Sequence, residues 1–322
     1  MALTAFDAKH ALQIQAGILG RNTGHKYEAE LAKQINQLPF SIRQEPSTNK
    51  LIIGSPERSL VNKALEFLRW KNCDKVEALA LGTLATADEG KQWLNVHGIV
   101  VKACKSDILL TIYKGKLTET VGVSVKQCNN KTPTNAQLYF TTARAFCNLL
   151  INNGITVSKK AIKALRQFCG DDGFRPLDSP SILKGRIIDP RRFFWEEIDS
   201  KGRVELEKIF SKYQNKITKL LLQKAYLNDP FTPQVLIHKT KKNTGDLQEY
   251  ALYTIDELVL LSEKYAGFKK KKYIVRKGQH KDPERTEHDA PRFGIVQMQR
   301  GGQKQHPTQL QFNLQAGYFY NI

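Results

Sequence analysis

Between Lys105 and Tyr113 the chain reads Lys-Ser-Asp-Ile-Leu-Leu-Thr-Ile-Tyr, then Lys114-Gly115-Lys116, and from Glu119 to Gln127 Glu-Thr-Val-Gly-Val-Ser-Val-Lys-Gln. Ile108 to Tyr113 is an apolar, β-branched run suited to a buried strand, and Lys-Gly-Lys opens a turn. In the second run Val121, Val123 and Val125 share one face, while Thr120, Gly122, Ser124 and Lys126 share the other, because strand side chains alternate with period two. The hairpin brings a carboxylate (Asp107), a hydroxyl (Ser124) and an ammonium (Lys126) to one end. Hydrolysis of a phosphodiester with a divalent metal uses that set: hard oxygen ligands for the cation, and a positive charge for the attacking water and the developing negative charge. A plainer reading fits the same residues, with Asp107 a turn residue before a strand and Lys126 solvated.

Other elements must hold that hairpin. From Gly24, Tyr27, Leu31, Ile35 and Leu38 recur at helical spacing, with Asn22-Thr23 as a candidate cap and Pro39 ending the run. Glu28 lies in the first turn of this expected helix and suits its N-terminal dipole. Residues 41–56 read as loop, and Ser59 to Trp70 as a helix. Lys75 to Ala87 fits helix or strand, and His97 to Cys104 reads as a strand leading into the hairpin. After Lys126 comes a polar loop, Gln127 to Asn135, and then a helix burying Leu138, Ala145, Phe146, Leu149 and Leu150. Ser158 caps a second helix, Val204 to Tyr226 reads as one long amphipathic helix, and Thr254 with Glu257 forms a capping-box pattern. Asp171-Asp172-Gly173 reads as a turn, and Asp189 to Trp195 either as a helix start with a buried aromatic face or as arginines and aromatics that clamp nucleic acid. Lys269 to Arg292 is strongly basic, either a solvated loop or a phosphate-contacting one.

Composition narrows the function classes. Fifty Lys+Arg against thirty-one Asp+Glu leave a formal charge of +19 on 322 residues. That excess favours a polyanionic partner, since each neutralised phosphate releases a counterion. No apolar run approaches the roughly 18 residues of a membrane span, and Met1 to Gln15 lacks a signal-peptide core. Five scattered cysteines without a C-x-x-C pair suit a reducing cytoplasm and exclude a disulfide framework or a zinc cluster.

Lys-Ser-Asp, followed after a hairpin by Ser-Val-Lys, resembles the catalytic motif of the PD-(D/E)xK nuclease superfamily. It resembles most the type II restriction endonucleases of the MspI and HinPI kind, which carry a neutral side chain where most of the superfamily has an acid; here that position is Ser124. Gly24-His-Lys-Tyr-Glu28 is similar to the Gly-x-x-x-Glu of that group's first helix, and Phe293 to Gly302 with Leu310-Gln311-Phe312 to its final strands. The resemblance runs from about residue 95 to the C-terminus, with the match near Gly24; residues 45–95 have no counterpart.

The resemblance implies an α/β fold: a mixed central sheet flanked by helices, a helical middle section and a C-terminal β segment. The expected organisation is a catalytic core over 1–150, a mainly helical section over 151–265, and a basic loop with DNA-reading strands over 266–322, together one compact unit. It implies Mg2+-dependent cleavage of double-stranded DNA at a short palindrome of about four base pairs that contains G and C. Asp107, Ser124, Lys126 and Glu28 would be catalytic, with Asp107, the Val125 carbonyl, Glu28 and Ser124 around the metal. Lys131, Thr134, Asn135 and Gln137 after the hairpin would contact DNA. So would Gln299, Arg300, Gly301, Gly302, Gln303, Lys304, Gln309, Gln311 and Asn313 in the tail. The relatives have Lys where Asn313 stands; an amide suits adenine where Lys suits guanine, which implies a different target. A bacterial cytoplasmic enzyme is expected, monomer or homodimer, with a cognate DNA methyltransferase that forms no stable complex with it. A repair or recombination nuclease of the same superfamily, or a DNA-binding protein without activity, remain the alternatives.

Overall fold

The computed structural model describes residues 8–39, 41–45, 50–81, 94–101, 104–128, 135–186, 188–224, 229–242, 245–265, 267–275, 282, 284–300 and 308–320. The chain begins with α1 (Ala8–Asn36), β1 (Ile42–Arg43), β2 (Leu51–Ile53) and α2 (Glu57–Leu68). It continues through β3 (Asn72–Cys73), β4 (Lys75–Ala80), β5 (Leu94–Val96), β6 (Ile99–Val101), β7 (Ile108–Lys114) and β8 (Leu117–Gln127). Then come β9 (Ala136–Thr142), α3 (Ala143–Asn152), α4 (Lys159–Cys169), α5 (Pro180–Leu183), α6 (Ser200–Lys212) and α7 (Gln214–Gln223). The chain closes with β10 (Pro233–Lys242), β11 (Gln248–Thr254), α8 (Ile255–Glu263), β12 (Phe268–Ile274), β13 (Glu287–Phe293), β14 (Val296–Arg300), β15 (Gln309–Leu314) and α9 (Ala316–Phe319). These elements form two compact units: 1–136, 219–259 and 316–322 make the first, 137–218 and 260–315 the second. The expected boundaries near 150 and 265 do not coincide with these, because both units are discontinuous in sequence.

The first unit is α/β. Its mixed sheet has six strands in the order β2-β11-β10-β8-β7-β4. β8 pairs antiparallel with β7 and parallel with β10; the other pairs are antiparallel. The valine face of β8 is the core face. Val121, Val123 and Val125 pack with Ile108, Leu110 and Ile112 of β7 and Val235 and Ile237 of β10, under Leu31 and Ile35 of α1 and Leu60, Val61 and Leu65 of α2. Each such side chain taken from water contributes about 1.5–3 kcal/mol, so burial on this face holds the register that positions the other. Leu109, Leu81, Val96, Val101 and Phe231 form a second, smaller cluster.

In the second unit a five-stranded sheet, ordered β12-β13-β14-β15-β9, is joined by α3 to α6. Its centre is aromatic. Phe146 meets Phe312 at 4.6 Å between ring centroids, Phe210 meets Phe293 at 5.1 Å, and Phe168 meets Trp195 edge-on at 5.3 Å. Trp195 and Phe194 are buried, as the buried-aromatic reading of Asp189 to Trp195 expected. Asp189 holds Arg191 at 2.9 Å and Arg192 at 3.1 Å.

Several local expectations change. α1 runs through Asn22-Thr23, and Thr23 Oγ1 donates to the Leu19 carbonyl at 2.8 Å instead of capping. His97-Gly98 is the turn of a hairpin between β5 and β6, with φ of 49° and 80°, and not the start of a strand. β9 stands where a helix was expected after Asn135, and Thr142 caps the helix that follows it. Val204 to Tyr226 breaks at Tyr213 into α6 and α7. Residues 41–56 include β1 and β2. The Ser158 cap and the Thr254–Glu257 capping box form as expected.

Candidate active site

Asp107 ends the segment before β7, and its backbone N–H donates to the Val123 carbonyl at 2.8 Å, which ties it to β8. Its carboxylate then meets three donors on one oxygen. Val125 N–H donates to Oδ2 at 2.6 Å, Ser124 Oγ at 3.3 Å and Lys126 Nζ at 3.3 Å. Lys126 Nζ also donates to the Val125 carbonyl at 2.9 Å. Ser124 is 1 % exposed, whereas the side chains of Lys126 and Asp107 are 20 % and 26 % exposed, open enough to meet a substrate. The grouping follows from period two. Val125 turns its side chain to the core, so its backbone groups lie between Ser124 and Lys126, where Asp107 reaches them.

Glu28 reaches the same site from α1. It is 8 % exposed, and among the described residues its buried Oε2 has no hydrogen-bond partner. Burial, and next the charge of Asp107, push its carboxyl up to about 7, with Lys126 opposing. α1 comes close at Gly24, where a Cβ would lie 3.5 Å from Gln127 Nε2 and 3.9 Å from Glu28 Oε1.

Two further groups belong to this surroundings. The Lys105 backbone N–H donates to Asp229 Oδ2 at 2.6 Å, and burial, then Lys126, pull its ammonium down to about 7, against Asp107 and Asp229. His238 of β10 is the register partner of Lys126. It is 1 % exposed, and burial, then Lys126, lower its imidazole to about 4. Its Nδ1 meets the Tyr320 hydroxyl beyond α9. Lys105 stood inside the motif stretch, two residues before Asp107, and could have been found there. His238 carries no local signal, since a parallel strand more than 100 residues later brings it in.

A divalent cation fits this donor set. Mg2+ takes oxygen ligands and keeps several waters; the Asp107 carboxylate and the Val125 carbonyl share the Lys126 ammonium, the charge of Asp107 is felt by the Glu28 carboxyl, and among the described residues Glu28 Oε2 is buried without a hydrogen-bond partner. No cluster of three or more His, Cys, Asp or Glu placed to hold a metal occurs among the described residues.

The expected DNA contacts fall into three sets. Lys131, Thr134, Gly301, Gly302, Gln303 and Lys304 lie outside the described residues. In the second unit Gln137, Gln299, Gln311 and Asn313 come together as a ladder of amides. Gln311 Nε2 donates to Gln137 Oε1 at 3.4 Å and to Asn313 Oδ1 at 3.2 Å, and Asn313 Nδ2 to Gln299 Oε1 at 3.3 Å. Phe312 points the opposite way, fully buried, and Asn313 is itself only 3 % exposed. The structure does not bring the remainder into this ladder. Arg300 is engaged inside its unit: it donates to the Phe193 carbonyl and to the Tyr273 hydroxyl, both at 3.0 Å, and lies 4.5 Å from the Phe194 ring centre. Asn135 accepts from the Ala316 N–H at 3.0 Å, and Gln309 Oε1 is buried without a partner among the described residues.

No helix among the described residues is long and apolar enough to cross a membrane, and all five cysteines are free. The chain matches no known protein-family profile and no curated protein.

Proposed function

We propose that this chain is a Mg2+-dependent DNA endonuclease with the PD-(D/E)xK fold, acting as a type II restriction enzyme on double-stranded DNA. The single observation that carries the reading is the convergence on Asp107 Oδ2 of the Val125 N–H and the Lys126 ammonium, with that same ammonium on the Val125 carbonyl. A structural ion pair needs only Asp107 and Lys126. Here both are partly exposed near the buried Glu28 carboxylate, one oxygen of which has no hydrogen-bond partner among the described residues, which favours a site built for a ligand.

Asp107, Glu28 and the Val125 carbonyl would hold the cation. When bound, Mg2+ supplies Lewis-acid polarisation of the scissile phosphate. Val125 N–H and Ser124 Oγ fix the Asp107 carboxylate from one side. Lys126 is placed to orient the attacking water and to offset the charge that develops on the phosphate. The hydroxyl at Ser124 acts through Asp107 in this arrangement, so loss of Asp107 outweighs loss of Ser124.

Digestion of plasmid DNA with Mg2+ and with chelator tests this. Discrete fragments that require Mg2+ are expected. Smearing or structure-dependent nicking marks a repair nuclease, and binding without cutting removes the enzyme reading. Asp107→Ala should fold, bind DNA and lose cleavage by at least about 10²–10³-fold, the equivalent of several kcal/mol of charge stabilisation. Cleavage within about tenfold of wild type, a difference of about 1.4 kcal/mol, would overturn the site.

A further inference from the structure

Strand β12 is an edge strand with four consecutive lysines, Lys269 to Lys272, all exposed. Edge strands commonly carry lysine as protection against pairing with other chains, so exposure alone assigns no role. The structure separates the four by face. Lys272 Nζ lies 2.8 Å from Asp289 Oδ1, and Lys270 Nζ lies 3.0 Å from Asp289 Oδ2. Asp289 is only 3 % exposed. Burial acts to raise its carboxyl, and the two lysines overcome that and hold it below the usual range. A charge so buried is costly without partners; Lys270 and Lys272 are its counter-ions.

Lys269 and Lys271 alternate with them and point to the other face. Among the described residues neither has an acidic partner. Lys269 stands opposite Arg292 of β13, Arg292 opposite Gln297 of β14, and Gln297 opposite Asn313 of β15. One row across four strands therefore runs cation, cation, amide, amide. Lys271 lies one step along, opposite Ala290, and the next amide pair is Gln299 with Gln311.

We propose that Lys269 and Lys271 bind successive phosphates of a DNA duplex, while Lys270 and Lys272 contribute nothing to that contact and serve Asp289. The proposal rests on the nucleic-acid reading above and adds which basic residues carry it. Side chains two residues apart on a strand stand about 7 Å apart, too far to converge on one phosphate group without bending together, so each takes its own. The neighbouring amides supply neutral donors and acceptors, which suit phosphate and base edges. An anionic lipid surface would want apolar anchors, and this row offers only Ala290, itself buried.

The test measures binding of a fluorescein-labelled DNA duplex by anisotropy, in chelator, over a salt series. In Lys269→Gln/Lys271→Gln the slope of log affinity against log salt should become shallower by about 1.8, or about 0.9 for each lost phosphate contact. Lys270→Gln/Lys272→Gln should keep the wild-type slope and lower the melting temperature. If that pair does not fold, adding Asp289→Asn removes the buried charge, and the triple variant should bind with the wild-type slope. An unchanged slope in the first pair, or an equal flattening in the second, overturns the assignment and leaves DNA binding standing. A wild-type protein that binds no duplex, or binds anionic vesicles instead, overturns the nucleic-acid reading and this proposal together.

Discussion

Glu28 has a carboxyl raised from the model-compound value of 4.5 to about 7, chiefly by burial. Below about pH 4.5 the group is protonated in folded and unfolded chains alike. Between about 4.5 and 7 the folded state holds the proton and the unfolded state releases it, so stability falls as pH rises; above about 7 the full cost is present. At about 1.4 kcal/mol per pH unit the cost is on the order of 3 kcal/mol. Glu28→Gln removes the titration. In chelator the variant should be more stable than wild type at pH 8, and the gap should narrow towards pH 5. Urea unfolding of both proteins at the two pH values measures this. A gap that does not change with pH would mean that the ionised carboxylate is not costly in the fold. Adding Mg2+ at pH 8 should stabilise wild type more than the variant.

The element on which the site depends is β8. Its valines hold one face in the core, and Gly122 lets β10 approach on the other. A Cβ at Gly122 would collide with Ser106 Oγ and stand 2.7 Å from the Thr232 carbonyl and 3.2 Å from Pro233 Cα. Ser106 cannot yield freely, because its hydroxyl donates to the Phe231 carbonyl at 2.6 Å. The Gly122 N–H in turn donates to Gln234 Oε1 at 2.6 Å. Gly122→Ala should therefore cost about 1–3 kcal/mol, the usual range for overpacking. Because the displaced backbone lies two residues from Ser124, DNA cleavage should fall as well. Denaturant unfolding checks the first effect and the plasmid assay the second; wild-type stability would show that β10 can move aside.

At the scale of the whole molecule the formal charge of +19 is the dominant property. If about six to ten phosphates are contacted, affinity for duplex DNA should fall roughly 10³–10⁵-fold between about 50 and 200 mM salt. Anisotropy titrations across that range measure it, and a flat response would place the excess charge away from the DNA. Not all of the basic residues are available for such contacts. Arg191 and Arg192 are held by Asp189, Arg186 by Glu197, and Lys270 and Lys272 by Asp289. The slope should therefore be set by a subset of the lysines and arginines, in agreement with the contrast between Lys269 and Lys270.

Local order carried much of this protein's chemistry. The alternation of Val121, Val123 and Val125 with Gly122, Ser124 and Lys126 by itself places Ser124 and Lys126 on one face, and the β7–β8 hairpin forms around the expected turn, because strand period and turn chemistry are short-range. The same holds for Phe312 inward with Gln311 and Asn313 opposite, and for the caps at Ser158 and Thr254. Features set over distance were not legible. The motif names Glu28, but that its Oε2 is buried without a partner among the described residues depends on tertiary packing, and His238 reaches Lys126 only through the parallel β8–β10 pair. Leu138 falls at helical spacing with the apolar residues of α3, but pairing with β15 makes Ala136–Thr142 a strand. The four lysines of β12 are identical in sequence; the single buried carboxylate of Asp289, on the neighbouring strand, makes them different.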